Sequence, residues 1–241
     1  MPLLEGHDVS RSFGGIEALI NIDFVIEEGH ILGLIGPNGA GKTTLFNVIT
    51  GVYPPTTGRL IFREMEISGL RPDHISRLGI ARTYQLVRTF HGLSVLENVL
   101  VGSFYGSEEQ KAKDKKQALQ QAMERLIFLG IQDLADLPVE NLTMATRKKV
   151  EIARALATRP RLLLLDEVMA GLNPTEIEEM ISIIRRIRES RTTVVLIEHH
   201  MQAVMNLSDR IMAIHYGQKI AEGSPQEVAN HPKVIEAYLG E

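Results

Sequence analysis

Apolar residues occur along this chain both as short continuous runs and as alternating stretches. The runs fall within residues 30–35, 161–167 and 192–197, and each leads into polar residues, which is typical of strands buried in a parallel sheet. Residues 16–28 alternate instead and predict a half-buried strand, whose apolar face would carry Ala18, Ile20, Ile22, Phe24 and Ile26. Further strands are predicted at 7–13 and 59–67, and a hairpin within 211–222 turns at Tyr216-Gly217.

Helical spacing dominates the middle of the chain, from about residue 94 to residue 158. One packed helix face is predicted there, carrying Leu119, Met123, Leu126 and Leu129. The charge run from Glu108 to Lys116 is interpreted as a solvated helix face or loop. The pattern predicts a single α/β domain over 1–241, with a mixed sheet core and an antiparallel edge formed by 1–90 and 160–241, and a helical subdomain at 91–159.

A glycine-rich segment separates a predicted strand from a predicted helix at 45–50. It fits the pattern G-x-x-x-x-G-K-[ST] of phosphate-binding P-loops and comprises Gly36, Pro37, Asn38, Gly39, Ala40, Gly41, Lys42, Thr43 and Thr44. The glycines allow backbone N–H groups to approach phosphate oxygens, and the helix N-terminus adds partial positive charge. We expect Lys42 to reach the β- and γ-phosphates and the Thr43 hydroxyl to ligate Mg²⁺.

Polar residues follow the other predicted core strands, at the carboxyl edge where ligands of open α/β sheets bind. Asp166 is predicted to hold the Mg²⁺ shell, and Glu167 to polarise a water molecule in line with the γ-phosphate. His199 is predicted to hydrogen-bond the γ-phosphate or that water; an ordinary buried histidine and a metal site are the alternatives, and a metal site is disfavoured because His199 and its neighbour His200 would point to opposite faces of a strand. Gln85 is predicted to reach Mg²⁺ or the water and to report the nucleotide state to the helical segment.

Composition narrows the class of protein without naming a substrate. The chain has 241 residues, a net charge of −4 and no cysteine, which argues against a general nucleic-acid binder and excludes disulfides and thiolate metal sites. We see no secretory signal at the N-terminus and no apolar stretch near the roughly 18 residues of a membrane span. The expectation is a cytoplasmic protein that reaches a membrane only through a partner.

The order of these motifs resembles the ATP-binding subunit of an ABC transporter over essentially the whole chain. Finer features are similar to the branched-chain amino acid importers, namely residues 82–85, 151–156, 170–174 and 197–199, and the closing segment 237–241. The resemblance implies that Phe13 stacks on adenine and that 170–173 communicates across a dimer. It also implies a P-loop NTPase fold of ABC type, ATP and Mg²⁺ as ligands, and a place at the cytoplasmic face of the membrane.

The mechanism that this resemblance implies needs two nucleotide-binding subunits facing head to tail. Each ATP would lie between one P-loop and the signature segment of the opposite subunit. Closure would drive membrane-spanning permease subunits, and hydrolysis would reopen the dimer. The helical subdomain would dock a permease helix.

The signature segment departs from the family pattern. It normally reads Leu-Ser-Gly-Gly-Gln, or Leu-Ser-Tyr-Gly-Gln in this branch, whereas this chain has Leu142-Thr143-Met144-Ala145-Thr146. Thr143 keeps a hydroxyl, but the methyl of Ala145 is expected to hold the γ-phosphate away or to require a positive φ. We therefore expect a heterodimer with one competent site; a homodimer, with a variant signature that works adequately, is the alternative.

Two other classes of ABC protein are alternatives to a transport ATPase. Soluble ABC ATPases of DNA repair or translation carry long coiled-coil insertions or two tandem cassettes, and this chain has neither. A regulatory module that holds ATP without turnover is favoured by the altered signature and disfavoured by Glu167 and His199. The transported solute is not encoded in these motifs.

Overall fold

The computed structural model describes residues 1–107 and 112–239. In these ranges the strands are β1 (Pro2–Phe13), β2 (Ile16–Glu27), β3 (Ile31–Ile35), β4 (Thr57–Phe62), β5 (Met65–Glu66), β6 (Ile80–Arg82), β7 (Leu162–Asp166), β8 (Thr193–Ile197), β9 (Arg210–His215) and β10 (Gln218–Gly223). The α-helices are α1 (Lys42–Ile49), α2 (Pro72–Leu78), α3 (Val95–Phe104), α4 (Lys115–Leu129), α5 (Met144–Ala157), α6 (Pro174–Glu189), α7 (Met201–Leu207), α8 (Pro225–Ala229) and α9 (Pro232–Leu239). Short 3-10 turns occur at Gln132–Leu134 and Val139–Asn141.

The chain divides into two compact units. The first comprises residues 1–75 and 187–241, and the second comprises residues 76–186 and includes the predicted helical segment. The antiparallel edge and the mixed sheet of the first unit agree with the fold class expected from the sequence.

The antiparallel sheet of the first unit has the strand order β2-β1-β4-β5. Strand β2 alternates as predicted from Ile22 onward, but Ala18 and Ile20 are only partly buried, and Leu19 is buried instead. The predicted face was wrong there because the β1–β2 register shifts between the pairs Val9–Ile22 and Arg11–Leu19. Asn21 has a φ of 46° at this irregularity, and an extra residue in one strand moves side chains to the other face.

The first unit also contains the buried strand that leads into the glycine-rich segment. All five residues of β3 are buried, and β3 pairs in parallel with β8 on one side and with β9 on the other. Leu34 lies opposite Ile197, so the residues that follow β3 and β8 emerge at the same sheet edge. The hairpin of β9 and β10 forms as predicted, with its turn at Tyr216-Gly217.

The second unit combines two parallel strands, β6 and β7, with the helices α3, α4 and α5, which pack against one another. The buried residues of α4 are Ala118, Gln121, Ala122, Leu126 and Leu129. Leu119 is exposed and Met123 is only partly buried, so the predicted apolar face was wrong at its N-terminal half. In the charge run, Asp114 caps α4 and residues 113–116 are exposed, in agreement with a solvated segment; residues 108–111 lie outside the described ranges.

None of the helices in the described ranges is both long enough and apolar enough to span a bilayer.

At Gly102, α3 approaches α5 so closely that there is no room for a side chain. A Cβ atom at this position would lie 2.2 Å from the carbonyl oxygen of Arg154 and 3.0 Å from the Cβ of Ala157. Since the helix preference of alanine is worth only about 1 kcal/mol and overpacking costs about 1–3 kcal/mol, we expect Gly102→Ala to lower the free energy of unfolding by about 1–2 kcal/mol. Urea denaturation measures this change. The exposed variant Lys116→Ala should stay within about 0.5 kcal/mol of wild type, and equal values for both variants would contradict the prediction.

Candidate functional site

The glycine-rich segment has the conformation that its glycines predict. Gly36, Gly39 and Gly41 have φ values of 151°, 77° and 109°. A Cβ atom would lie 2.1 Å from the carbonyl oxygen of Ile214 at Gly36 and 2.6 Å from that of Ala18 at Gly41, whereas Gly39 faces open space. Gly36 and Gly41 are therefore required both by backbone angle and by packing, and Gly39 by backbone angle.

Helix α1 begins directly after this segment. Gly41 is its N-cap residue, and no side chain caps the helix. The first N–H groups of an α-helix have no partner within the helix and carry partial positive charge, so an uncapped N-terminus suits a phosphate group.

Lys42 lies inside the loop formed by residues 36–42. Its side chain is buried, and its ammonium group donates to the carbonyl oxygen of Gly36 at 2.6 Å and to that of Pro37 at 2.9 Å. These dipoles offset part of the cost of burying the charge. To reach a phosphate, the ammonium group has to share its three donors between its present partners and the phosphate oxygens.

A cleft of about 660 Å³ borders residues 37–40 of the loop. Its other walls come from the end of β9 and from α9, and include His215, Tyr216, Lys233 and Glu236. The β9–β10 turn is attached to the loop, because the N–H of Gly217 donates to the carbonyl oxygen of Ala40 at 2.9 Å. The sequence motifs did not predict that the C-terminal segment lies beside the loop.

Phe13, the predicted adenine-stacking residue, ends β1 with its ring partly exposed. The ring contacts Tyr53 in an edge-to-face arrangement, with 5.0 Å between the ring centroids. The guanidinium carbon of Arg11 lies 4.5 Å from the centroid of Phe13. A base that stacks on Phe13 therefore either uses the other face of the ring or displaces Arg11.

Asp166 ends β7 in the second unit and is almost completely buried. Its Oδ2 accepts from the guanidinium group of Arg82 at 2.6 Å, and the two side chains are 1% and 5% exposed. The Asp166 N–H donates to the hydroxyl of Thr83 at 3.1 Å. A cation bound by Asp166, the predicted Mg²⁺ ligand, would therefore share its carboxylate with Arg82. The sequence alone did not indicate this arginine.

Glu167 adopts a left-handed backbone conformation, with a φ of 52°. Its Oε2 accepts from the side-chain amide of Gln85 at 2.8 Å, so two of the predicted site residues lie in direct contact. The buried ammonium group of Lys148 donates to the carbonyl oxygens of Glu167 at 3.0 Å and Ala170 at 2.6 Å. Such backbone angles cost about 1–3 kcal/mol and persist where the surroundings hold them, and Lys148 supplies part of that support.

Lys148 was missed by the sequence analysis because nothing in its local pattern sets it apart from the other basic residues at the start of α5. The same helix also contacts the segment that carries Gln85. Glu151 accepts from the N–H of Tyr84 at 3.3 Å, and burial raises the pKa of its carboxyl group despite the nearby Arg154. Helix α5 is therefore tied both to Glu167 and to the residue before Gln85.

The two histidines after β8 have different environments. His199 is exposed, so the alternative of an ordinary buried histidine is wrong, and it follows β8 at the sheet edge shared with β3. His200 accepts the N–H of Ala203 on its Nδ1 at 3.2 Å and thereby caps α7. The sequence pattern indicates no role for His200, and the structure shows it as the N-cap residue of α7.

The signature segment forms the start of α5. Thr143 is the N-cap residue: its hydroxyl accepts the N–H of Thr146 at 3.3 Å and lies 3.0 Å from the Thr146 hydroxyl. Ala145 lies within the helix and is not among the residues with positive φ, so the expectation of backbone strain there was wrong. The cap places the following residues in helical geometry, and Ala145 is 9% exposed.

The family models and the individual proteins that match this chain describe the same kind of protein. A family model described as "ABC transporter" matches residues 19–170, and one described as "Branched-chain amino acid ATP-binding cassette transporter" matches residues 218–241. The high-affinity branched-chain amino acid transport ATP-binding protein LivG of Salmonella typhimurium is 42% identical, over 100% of this chain and 98% of that protein.

Solved structures resemble the chain over a similar length. A nucleotide-free ATP-binding cassette from an ABC transporter superposes with a TM-score of 0.91 at 31% identity, and the match covers 100% of both chains. A dimeric ATP-binding cassette in a post-hydrolysis state with ADP and phosphate has a TM-score of 0.82 at 25% identity, and the match covers 92% of this chain and 98% of that one.

The buried pair of Arg82 and Asp166 predicts a large loss of stability when only one partner is removed. We expect Arg82→Met to lower the free energy of unfolding by about 3–5 kcal/mol, because a buried carboxylate loses its cation. Urea denaturation near neutral pH measures the loss. Adding Asp166→Asn to Arg82→Met should recover part of it, and a double variant no more stable than Arg82→Met would contradict this account.

Proposed function

This chain belongs to the ABC transporter family, and we propose that it is the ATP-hydrolysing subunit that energises an importer of branched-chain amino acids. The observation that carries the solute class is the 42% identity to LivG over essentially the whole length of both proteins. The match of residues 218–241 to the branched-chain amino acid model supports it independently of the P-loop. Members of this family bind nucleotide, and the geometry of the glycine-rich segment agrees with that activity.

We propose that residues 36–44 bind the phosphates of ATP. The backbone N–H groups of the loop and of the first turn of α1 would contact phosphate oxygens, and Lys42 would exchange carbonyl partners for the β- and γ-phosphates. Phe13 would stack on the adenine. The hydroxyl of Thr43, the amide of Gln85 and the carboxylate of Asp166 are oxygen donors of the kind that Mg²⁺ requires, and bound Mg²⁺ would neutralise phosphate charge.

For hydrolysis we propose Glu167 as the general base. The hydrogen bond from Gln85 orients the Glu167 carboxylate, and a general base has to be positioned to take a proton from water. The two hydrogen bonds from Lys148 to the carbonyl oxygens of Glu167 and Ala170 would limit the movement of Glu167. His199, exposed at the end of β8, would hydrogen-bond the γ-phosphate.

The proposed partners are a second ABC ATP-binding subunit and membrane-spanning permease subunits, with no nucleic acid. The dimeric cassette among the similar structures supports pairing, and the name of LivG supports a transport system. The chain would then work at the cytoplasmic face of the membrane without spanning it. The residues Thr143 and Ala145 would face the partner's nucleotide, and their departure from the family pattern favours a different chain over a second copy.

A regulatory subunit that binds ATP without turnover is the second candidate, and the altered signature segment favours it. Turnover separates the two. We expect Glu167→Gln to reduce ATP hydrolysis of the assembled complex at least about 100-fold, because general-base catalysis contributes about 10²–10⁴. ATP affinity should change little, since the amide keeps the size of the side chain.

The control for this variant is Glu178→Gln, which makes the same change at an exposed position of α6. It should retain wild-type turnover. A complex that hydrolyses ATP equally well with Glu167→Gln would exclude Glu167 as the base, and a wild-type complex without turnover would favour the regulatory role.

The partner is tested by the association state of the Glu167→Gln chain with ATP, measured by light scattering after gel filtration. Blocked hydrolysis traps any ATP-bound dimer that can form. We expect the chain alone to remain monomeric, because its own signature segment binds a facing ATP poorly. A stable homodimer would show that Thr143 and Ala145 close on ATP and would end the heterodimer proposal; the double variant with Ala145→Gly shows whether the methyl group is the obstacle.

A further inference from the structure

The C-terminal helix α9 makes a hydrogen bond to the phosphate-binding loop. The hydroxyl of Tyr238 accepts the N–H of Gly36 at 2.7 Å, across a sequence separation of 202 residues. Tyr238 is not part of the P-loop motif, and none of the roles proposed above uses it.

The backbone conformation and the packing of Gly36 both restrict this position to glycine. It is the first residue beyond β3, its φ is 151°, and the carbonyl oxygen of Ile214 occupies the space of a Cβ atom. Its carbonyl oxygen accepts from the ammonium group of Lys42 at 2.6 Å. The peptide groups on the two sides of Gly36 are thus held by different side chains, Tyr238 on the N–H and Lys42 on the carbonyl.

The position of Tyr238 is fixed by packing elsewhere on α9. Val234, one turn earlier, is buried in a cluster that also contains Ile35, the last residue of β3, and Val204 of α7. The same cluster therefore joins the strand that leads into the loop to the helix that follows His199-His200. Partial burial raises the pKa of the Tyr238 hydroxyl, so the group stays protonated at neutral pH.

We propose that Tyr238 is a positioning residue for nucleotide binding: its hydroxyl holds the Gly36 peptide in place when Lys42 turns to the phosphates. This inference rests on the proposed ATP-binding function and extends it to the C-terminal segment. Without nucleotide, Gly36 has two anchors. With nucleotide, the ammonium group is shared with phosphate oxygens, and the Tyr238 hydroxyl becomes the more important of the two.

This difference between the two states is what makes the proposal distinct from a structural anchor. An interaction that is equally strong in the free and the bound protein does not change the affinity for a ligand. If Tyr238 only fastened α9 to the first unit, removal of its hydroxyl would lower stability and leave ATP affinity unchanged. If it positions the loop, removal weakens ATP binding more than it affects the free protein.

The test is Tyr238→Phe in the full-length chain, titrated with Mg²⁺-ATP by isothermal calorimetry. The phenyl ring keeps the packing of α9 and removes only the hydrogen-bond acceptor. We expect the Kd for Mg²⁺-ATP to rise about three- to tenfold, which corresponds to one hydrogen bond, while the melting temperature without nucleotide falls by no more than a few degrees. Amide hydrogen exchange at Gly36 in the ATP-bound protein should accelerate, and exchange within β3 should not.

The control is Tyr105→Phe, which removes the hydroxyl of an exposed tyrosine in the second unit and should leave the Kd within twofold of wild type. An unchanged Kd for Tyr238→Phe would overturn the proposal, whether or not the melting temperature falls. A wild-type chain that does not bind Mg²⁺-ATP would instead overturn the proposed function, and the role of Tyr238 with it. The wild-type titration separates these two failures.

Discussion

The ammonium group of Lys42 lies inside the glycine-rich loop, where it donates to the carbonyl oxygens of Gly36 and Pro37. A buried cation without partners is costly, so the loop has to offer these dipoles before any phosphate is present. The carbonyl groups can converge only because β3 ends in a buried, parallel position and Gly36 turns the chain with a φ that excludes a side chain. The surrounding elements of the first unit maintain that geometry: the β9–β10 turn binds Ala40, and α9 binds Gly36.

The second unit solves a different problem, which is to hold a carboxylate in an unfavourable backbone conformation. Glu167 has a left-handed φ, and the strain is supported by Lys148 from α5 and by the side-chain contact with Gln85. Helix α5 also begins with the signature segment, so one helix carries both its Thr143 cap and the lysine that binds the backbone of Glu167. A partner that contacts Thr143 would therefore contact the same helix that supports the proposed general base.

The altered signature segment is less disruptive than its sequence indicates. A glycine-to-alanine change suggested strain, yet the Thr143 cap places Ala145 in an ordinary helix, where alanine is the most favourable residue. What remains of the departure is the replacement of a glycine by Ala145 and of a glutamine by Thr146, together with Thr143 and Met144, in the segment proposed to meet a partner's nucleotide. The variant therefore bears on the proposed assembly and turnover rather than on the stability of the chain.

The sequence by itself determined the features that are encoded in contiguous residues. The buried strand β3, the glycine-rich loop and the start of α1 form one uninterrupted segment. The apolar runs that precede Asp166 and His199 predicted the strands β7 and β8 and the ends at which these polar residues lie. The tertiary structure alone decided which distant residues meet these motifs: Tyr238 on Gly36, Arg82 on Asp166 and Lys148 on Glu167. It also decided the face of β2 near Asn21 and of α4 near Leu119, where the apolar pattern was ambiguous. The reason is that a local pattern specifies backbone periodicity and turn geometry, whereas a hydrogen bond between remote residues depends on strand order, register and helix packing, which no single segment encodes.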